Sequence, residues 1–208
     1  MTMPDVPLPQ AWRETPTLQG RCVRLTPLAM EYASGLRAAR DHAGLDGLWF
    51  TNIPDRDGVA AYVEKALLSH GRGESLPFAV LDADGAIVGT TRLYALEDSV
   101  PRALIGYTWY APRVQRTGLN TEAKLLLLQY AFEAMRCICV GFETSTHNAR
   151  SRTAIARLGA KQDGVLRNHK RHADGSPRDT ALYSIIDSEW PQVKRDLLAK
   201  LHSHEVSA

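Results

Sequence analysis

The chain has 208 residues, 44% of them apolar and 23% charged, with 25 basic against 23 acidic side chains and a formal net charge of +2. That length suits one domain with a sizeable core. The near balance of charge speaks against a dedicated nucleic-acid or membrane-surface binder.

Residues 1–18 read as an irregular arm, because prolines 4, 7, 9 and 16 disfavour regular pairing. The arm lacks the apolar core of a secretory signal, and "LLLLQYAF", the longest strongly apolar stretch, is too short to cross a bilayer. The expectation is a soluble, cytoplasmic protein with no membrane partner and no direct nucleic-acid partner. "RCVRLTPL" alternates polar and apolar residues and predicts a first strand. "LAMEYASGLRAARDH" has helical spacing, "GLDGLWFTNIP" reads as a loop or broken helix, and "DRDGVAAYVEKALLSHGRG" predicts a second helix closed by Gly71 and Gly73.

"PFAVLDADGAIVGTTRLYAL" predicts a hairpin around "DADG". "RALIGYTWYAP" is a further strand ended by Pro112, and a helix is expected from about Asn120 to Met135. "CICVGFETST" predicts a strand on which Cys137 and Cys139 share one face as buried thiols. Three cysteines without framework spacing do not make a disulfide scaffold, and no further ligands beside them suggest a metal site. "NARSRTAIARLGA" predicts a helix with Asn148 as N-cap and Gly159 past its end. Two last strands surround "ADGSP", and "SEWPQVKRDLLAKL" is a final helix with a frayed tail after it. The expected organisation is an arm (1–18), a single domain (19–201) and a tail (202–208), of mixed α/β (α+β) class.

Phosphate loops of the G-x-x-x-x-G-K type, G-x-G-x-x-G loops, H-E-x-x-H helices and G-x-S-x-G elbows are absent from the sequence. What stands out is "RVQRTGLN", a basic turn between a strand and a strongly apolar helix. A helix start offers free N–H groups and a positive dipole end, so it suits an anion. Gly118 allows close backbone approach, and Arg113 and Arg116 add charge. An ordinary loop with Asn120 or Thr121 as N-cap explains the same residues.

The order of signals separates the two readings. Gln115 and Gly118 lie in "Q-x-x-G-x-N" before "TEAKLLLL"; a strand follows, then Asn148 and Ser151 in "N-x-x-S", then "LGA". This resembles the GNAT superfamily of acetyl-CoA-dependent N-acyltransferases, in particular the RimJ/RimL-type branch that acetylates ribosomal-protein N-termini. The resemblance covers roughly residues 18–201. Asn120 departs from the pattern, where a small residue is usual. The resemblance implies a central, mostly antiparallel twisted sheet of about seven strands with helices on both faces. The fourth and fifth strands, "IGYTWYAP" and "CICVGFET", should splay apart. Acetyl-CoA would lie in that gap, its arm on the backbone of Trp109, Tyr110 and Ala111, its pyrophosphate on Arg116, Thr117, Gly118, Leu119, Asn120 and Thr121 beside Gln115. Asn148 would bind the cofactor arm, and Ser151 would protonate the departing thiolate. No metal is implied.

The general base is open. Glu143 sits on the strand beside the gap, and a surface-facing carboxylate accounts for it equally well. His147 reads as a solvated loop residue. An α-amine, with a reference pKa of about 7.7–8.0 against about 10.4 for lysine, needs no strong base. Trp49 and Phe50 would line the acceptor pocket or pack on the core. Arg167, His169, Lys170, Arg171 and His172 form either a solvated turn face or a site for a carboxylate-bearing acceptor. The amine acceptor is a protein N-terminus or a small molecule. A homodimer is one expected state, with the proline-rich arm lying on a second copy. The rival reading is a non-catalytic CoA-binding sensor of the same fold.

Overall fold

The computed structural model describes residues 10–41, 49–51 and 53–206, so the start of the proline-rich arm and all of "HAGLDGL" lie outside the described residues. Strands β1 (Leu18–Gln19), β2 (Val23–Pro27), β3 (Ser75–Asp82), β4 (Ile87–Glu97), β5 (Arg102–Tyr110), β6 (Cys139–Ser145), β7 (Lys161–Arg171) and β8 (Pro177–Ile186) form one sheet. Their spatial order is β1-β2-β3-β4-β5-β6-β8-β7. Every neighbouring pair is antiparallel except β5 with β6. The eighth strand is β1, where the arm pairs Leu18 with Leu25 and Gln19 with Arg24. Two residues are too few for alternation to register in the sequence.

Helices α1 (Ala33–Arg40) and α2 (Val59–Gly71) bury Leu36, Val59 and Val63 on one face of the sheet, against Ala79, Leu81 and Trp109. Helices α3 (Leu119–Gln129), α4 (Ala149–Arg157) and α5 (Trp190–Val206) cover the other face, where Leu127, Leu128 and Leu197 meet Leu25, Phe78 and Val140. Each such fully buried side chain contributes about 1.5–3 kcal/mol. The fold class expected from sequence therefore holds. The final helix runs on to Val206, past the point where fraying is expected.

Three local expectations change. The helix after "RVQRTG" begins at Leu119 with Gly118 as N-cap, and neither Asn120 nor Thr121 caps it. Its last turn, Tyr130–Ala134, widens to i→i+5 bonding. There Trp12 Nε1 donates to the Met135 carbonyl at 2.9 Å and the Tyr130 hydroxyl donates to Ala11 O at 2.9 Å. Residues 10–18 thus fold back onto their own chain. Strand β6 starts at Cys139, so Cys137 does not share a strand face with it. The Cys137 N–H instead donates to Ala131 O at 2.9 Å, which draws the residue into the helix end. All three cysteines are free thiols.

The site is positioned by β5. It pairs with β6 only at Arg102↔Cys139, Ala103↔Val140 and Leu104↔Gly141. Beyond Leu104 the two parallel strands part, and β5 continues to Tyr110 with its β6-facing edge unpaired. At the closed end a Cβ on Gly141 would stand 2.4 Å from Leu104 Cδ2, so glycine lets the Leu104 side chain pack there without shifting. On its other edge β5 carries a bulge. Thr90 pairs with Trp109 and Arg92 with Gly106, leaving Tyr107 and Thr108 opposite Thr91 alone. Tyr107 takes φ +52°, a left-handed conformation rare for an aromatic residue. A bulge of this kind bends its strand and leaves one residue out of the ladder.

Candidate active site

The mouth of the gap is the turn that follows β5. The amides of Arg116, Thr117, Gly118, Asn120 and Thr121 have no acceptor among the described residues, and the first backbone bond of α3 runs from Glu122 to Gly118. Thr117 Oγ1 donates to Val114 O at 2.8 Å and accepts from Leu119 N at 3.2 Å. These amides sit at the positive end of the α3 dipole, an arrangement that favours an anion. The left-handed residue in the turn is Arg116, with φ +64°. Gly118 is in the right-handed helical region, and a Cβ there would meet Leu201 Cδ2 at an ordinary 3.6 Å. The requirement for glycine expected at residue 118 is therefore not conformational.

The basic residues of the turn have separate duties. Arg113 is held by Asp82 at 2.7 Å. Gln115 donates to the Tyr110 carbonyl at 2.8 Å and accepts from the Arg150 guanidinium. Arg150, on the first turn of α4, thus reaches across to the mouth. It was not singled out in the sequence, although it stands between Asn148 and Ser151 in "NARS".

Asn148 is the N-cap of α4, its Oδ1 accepting from Ser151 N at 3.0 Å. Its side-chain amide nitrogen and the Ser151 hydroxyl have no partner among the described residues. Both residues are half-buried. Glu143, on the stretch of β6 that pairs with β8 but no longer with β5, is tied to Lys170 Nζ at 2.5 Å. Trp49 stacks edge-on against Phe50 at 5.6 Å and His172 at 4.6 Å, and lies 5.4 Å from His147. The loop bearing Trp49 is thereby brought next to Asn148. Lys170 and His172 are occupied by these contacts, so the basic run from Arg167 to His172 is not one free patch.

Two buried positions escaped the sequence reading. Lys124 on α3, 7% exposed, donates to Thr108 Oγ1 in the bulge at 2.6 Å. Burial pushes its amine down to about 7 from 10.5. Arg92 on β4 lies between the rings of Tyr62 and Tyr107. An isolated charged residue in "VGTTRLYAL" carries no sequence signal that it is buried. No group of histidine, cysteine and carboxylate side chains among the described residues could hold a metal ion, and no helix is long and apolar enough to cross a membrane.

A parallel strand pair that opens into a gap, an amide-rich turn at its mouth and a helix start capped by asparagine make up an acyltransferase type of fold. The chain belongs to the acetyltransferase (GNAT) domain family, whose profile matches residues 23–161. Among curated proteins it is 31% identical over 107 residues to YdaF of Bacillus subtilis (strain 168), whose description as a ribosomal N-acetyltransferase is provisional. That match covers 51% of this chain and 57% of YdaF, so the chain spans about half the length of the curated relatives it matches. Among solved structures, a GCN5-related N-acetyltransferase from Brucella melitensis is 31% identical with a TM-score of 0.82, covering 90% of this chain and 86% of that one. Mycobacterium smegmatis RimJ, solved with CoA-disulfide, is 24% identical with a TM-score of 0.75, covers 91% of this chain and 96% of that one, and shows a shared fold.

Proposed function

We propose that the chain is an N-acetyltransferase that moves an acetyl group from acetyl-CoA to a primary amine by direct attack. The observation that carries this reading is the parting of β5 and β6 beyond Leu104, with unpaired amides from Arg116 to Thr121 at the open end. Acetyl-CoA, when bound, supplies a thioester whose acyl carbon accepts the amine and whose sulfur leaves as the CoA thiol.

The chain's own residues then divide the work. The free edge of β5 through Trp109, Tyr110 and Ala111 offers backbone groups to an extended arm. The turn from Arg116 to Thr121, with Gln115 and Arg150 beside it, answers a pyrophosphate. The bulge at Tyr107–Thr108 supplies a backbone group for a developing oxyanion. Asn148 holds the start of α4, and its amide nitrogen can donate to the cofactor arm. Ser151 gives its hydroxyl proton to the departing sulfur and regains a proton through water from the amine that has attacked. Glu143, engaged by Lys170, is better suited to orienting than to taking a proton. An α-amine, partly neutral near pH 7, needs no strong base (about 7.7–8.0 against about 10.4 for lysine). That favours a protein or peptide α-amine or a small amine of similar basicity, with Trp49 and Phe50 in its pocket. We place the catalytic domain at residues 19–201 and its work in the cytoplasm, with a homodimer as the candidate assembly.

The test is acetyl-CoA binding by calorimetry, followed by thiol release with an amine panel. Wild type should bind, and Arg150→Glu, which sets a carboxylate at the mouth, should bind at least tenfold more weakly. Ser151→Ala should keep its affinity and lose about 10²-fold in kcat. Binding without thiol release from any amine would assign a sensor instead. No binding to a folded protein would sink the reading altogether.

A further inference from the structure

A buried guanidinium beside the bulge of β5 meets the Tyr62 hydroxyl but has no carboxylate partner among the described residues. Arg92 points from β4 towards α2 and is 5% exposed. Its guanidinium carbon lies 4.5 Å from the Tyr62 ring centre and 4.3 Å from that of Tyr107. Rings of this kind stabilise a cation but do not neutralise it. The Arg92 Nε has no hydrogen-bond partner, and no carboxylate among the described residues pairs with the group. A buried charge without a counter-ion is costly, so a missing partner is expected.

There is room for one. Arg92, Tyr94 and Tyr107 line a cavity of about 570 Å³ with Ser69, Arg72 and Ser75 of the α2–β3 turn. Glu74 also lines it, but its carboxylate is already met by Ser69 Oγ at 3.2 Å and lies 3.9 Å from Arg72. Two of the lining residues, Ala95 and Tyr107, have positive φ, at +49° and +52°. Tyr107 is the bulge residue, so the cavity abuts the bent part of β5 where the gap opens. The Tyr94 ring meets Tyr107 edge-on at 5.0 Å, and it also feels the charge of a second buried guanidinium. Arg178 is 8% exposed, and its Nε is likewise without a partner. Glu143, whose charge also reaches Tyr94, is taken by Lys170.

We propose that Arg92 is the carboxylate-binding residue of the acceptor site, so that the amine acetylated here carries a carboxylate which enters this cavity. The proposal rests on the acetyltransferase reading for the word acceptor, but the anion site itself does not. A planar guanidinium forks onto a carboxylate with two parallel hydrogen bonds, which gives direction as well as affinity. The carboxylate can belong to a small amino acid or to an acidic side chain near a peptide N-terminus.

Binding is read first, without turnover, by saturation-transfer NMR of succinate and of succinamide on the CoA-loaded protein. Succinate should bind and succinamide should not, a contrast that needs no variant. Arg92→Gln should weaken succinate by about tenfold or more while leaving CoA affinity unchanged, and Arg92→Lys should recover part of it. Turnover then separates the two sources. Glycine is compared with glycinamide, and Ser-Asp-Ala-amide with Ser-Asn-Ala-amide, on wild type and on Arg92→Gln. A carboxylate preference in either pair that collapses in the variant through KM supports the proposal and names the source. Equal binding of succinate and succinamide overturns it, as does succinate binding that survives Arg92→Gln. Inorganic phosphate displacing succinate with higher affinity overturns the carboxylate assignment. Arg92-dependent succinate binding with no thiol release from any amine overturns the acetyltransferase reading alone.

Discussion

Lys124 Nζ stands 2.6 Å from Thr108 Oγ1, so a buried amine on α3 is tied directly to the bulge of β5. Thr91 Oγ1, itself 2.8 Å from Thr108 Oγ1, lies 3.4 Å from the same amine. The helix that begins at the anion-suited turn and the strand that bends at the gap therefore share one polar contact inside the core.

That contact gives stability a pH dependence. The unfolded chain keeps the lysine proton to about 10.4, whereas burial lets the folded chain release it at about 7. Between these values the unfolded state binds more protons, so stability rises as pH increases from about 7 towards 10. Below about 7 both states carry the proton and the residue adds no slope. Each pH unit inside the window is worth up to about 1.4 kcal/mol. Urea midpoints at pH 7, 8 and 9 should climb in wild type. Lys124→Met should lose that climb and gain stability at pH 7, with Thr91 left as the partner of Thr108. A flat wild-type profile would show that the amine stays charged when folded.

Gly89 and Gly118 should respond oppositely to alanine. A Cβ on Gly89 would lie 2.1 Å from the Trp109 carbonyl oxygen and 3.0 Å from Tyr110 Cα, and both are backbone of β5. The strand must move, and it moves where its free edge faces the gap. Gly89→Ala should lower acetyl-CoA affinity by tenfold or more and destabilise the fold by about 1–3 kcal/mol. Gly118→Ala should leave stability within about 1 kcal/mol, because its Cβ meets Leu201 at an ordinary 3.6 Å, so any loss of acetyl-CoA affinity there reports the close approach of the phosphate to the turn. Calorimetry and thermal melts on the two variants decide it.

Glu122 is a buried fastener between α3 and the β1–β2 turn. It accepts from Arg21 N and Cys22 N at 2.8 Å each and from Cys22 Sγ at 2.9 Å. Glu122→Ala leaves those donors unmatched and should cost about 2–3 kcal/mol in urea denaturation. Glu122→Gln keeps one acceptor and should cost less. Burial, then the Glu122 carboxylate, pushes the Cys22 thiol up to about 12. Wild-type Cys22 should resist alkylation at pH 8, and Glu122→Ala should speed it.

How much of this was legible in the sequence depended on local periodicity. Alternation and turn residues placed the "DADG" hairpin and the two last strands, because their signals lie within a few residues. The element order with Gln115, Gly118, Asn148 and Ser151 led to the fold. Long-range partners left no such mark. Nothing in "TEAKLLLL" says that Lys124 faces a strand bulge, and nothing in "TTRLY" says that two tyrosines distant in sequence enclose Arg92. Trp12 looked like part of an irregular arm because its carbonyl partner, Met135, is more than a hundred residues away. Gly118 drew attention as the glycine of the turn, yet the left-handed backbone falls on Arg116. Side-chain destinations across the sheet are set by packing, and pattern reading reports only which face a residue takes.

The two duties of Asn148 can be separated by substitution. As N-cap it needs only an acceptor for Ser151 N, which an aspartate also provides. As a ligand contact it needs the amide nitrogen, which an aspartate lacks. Asn148→Asp should therefore keep the melting temperature, since a carboxylate at a helix N-terminus also suits the dipole. It should lose acetyl-CoA affinity by tenfold or more, because an acceptor replaces a donor beside the cofactor arm. Asn148→Ala should lose both, with about 1 kcal/mol of stability gone with the cap. If Asn148→Asp binds acetyl-CoA as wild type does, the residue is a cap and nothing more, and the start of α4 contributes to the cofactor site through Arg150 and Ser151 alone.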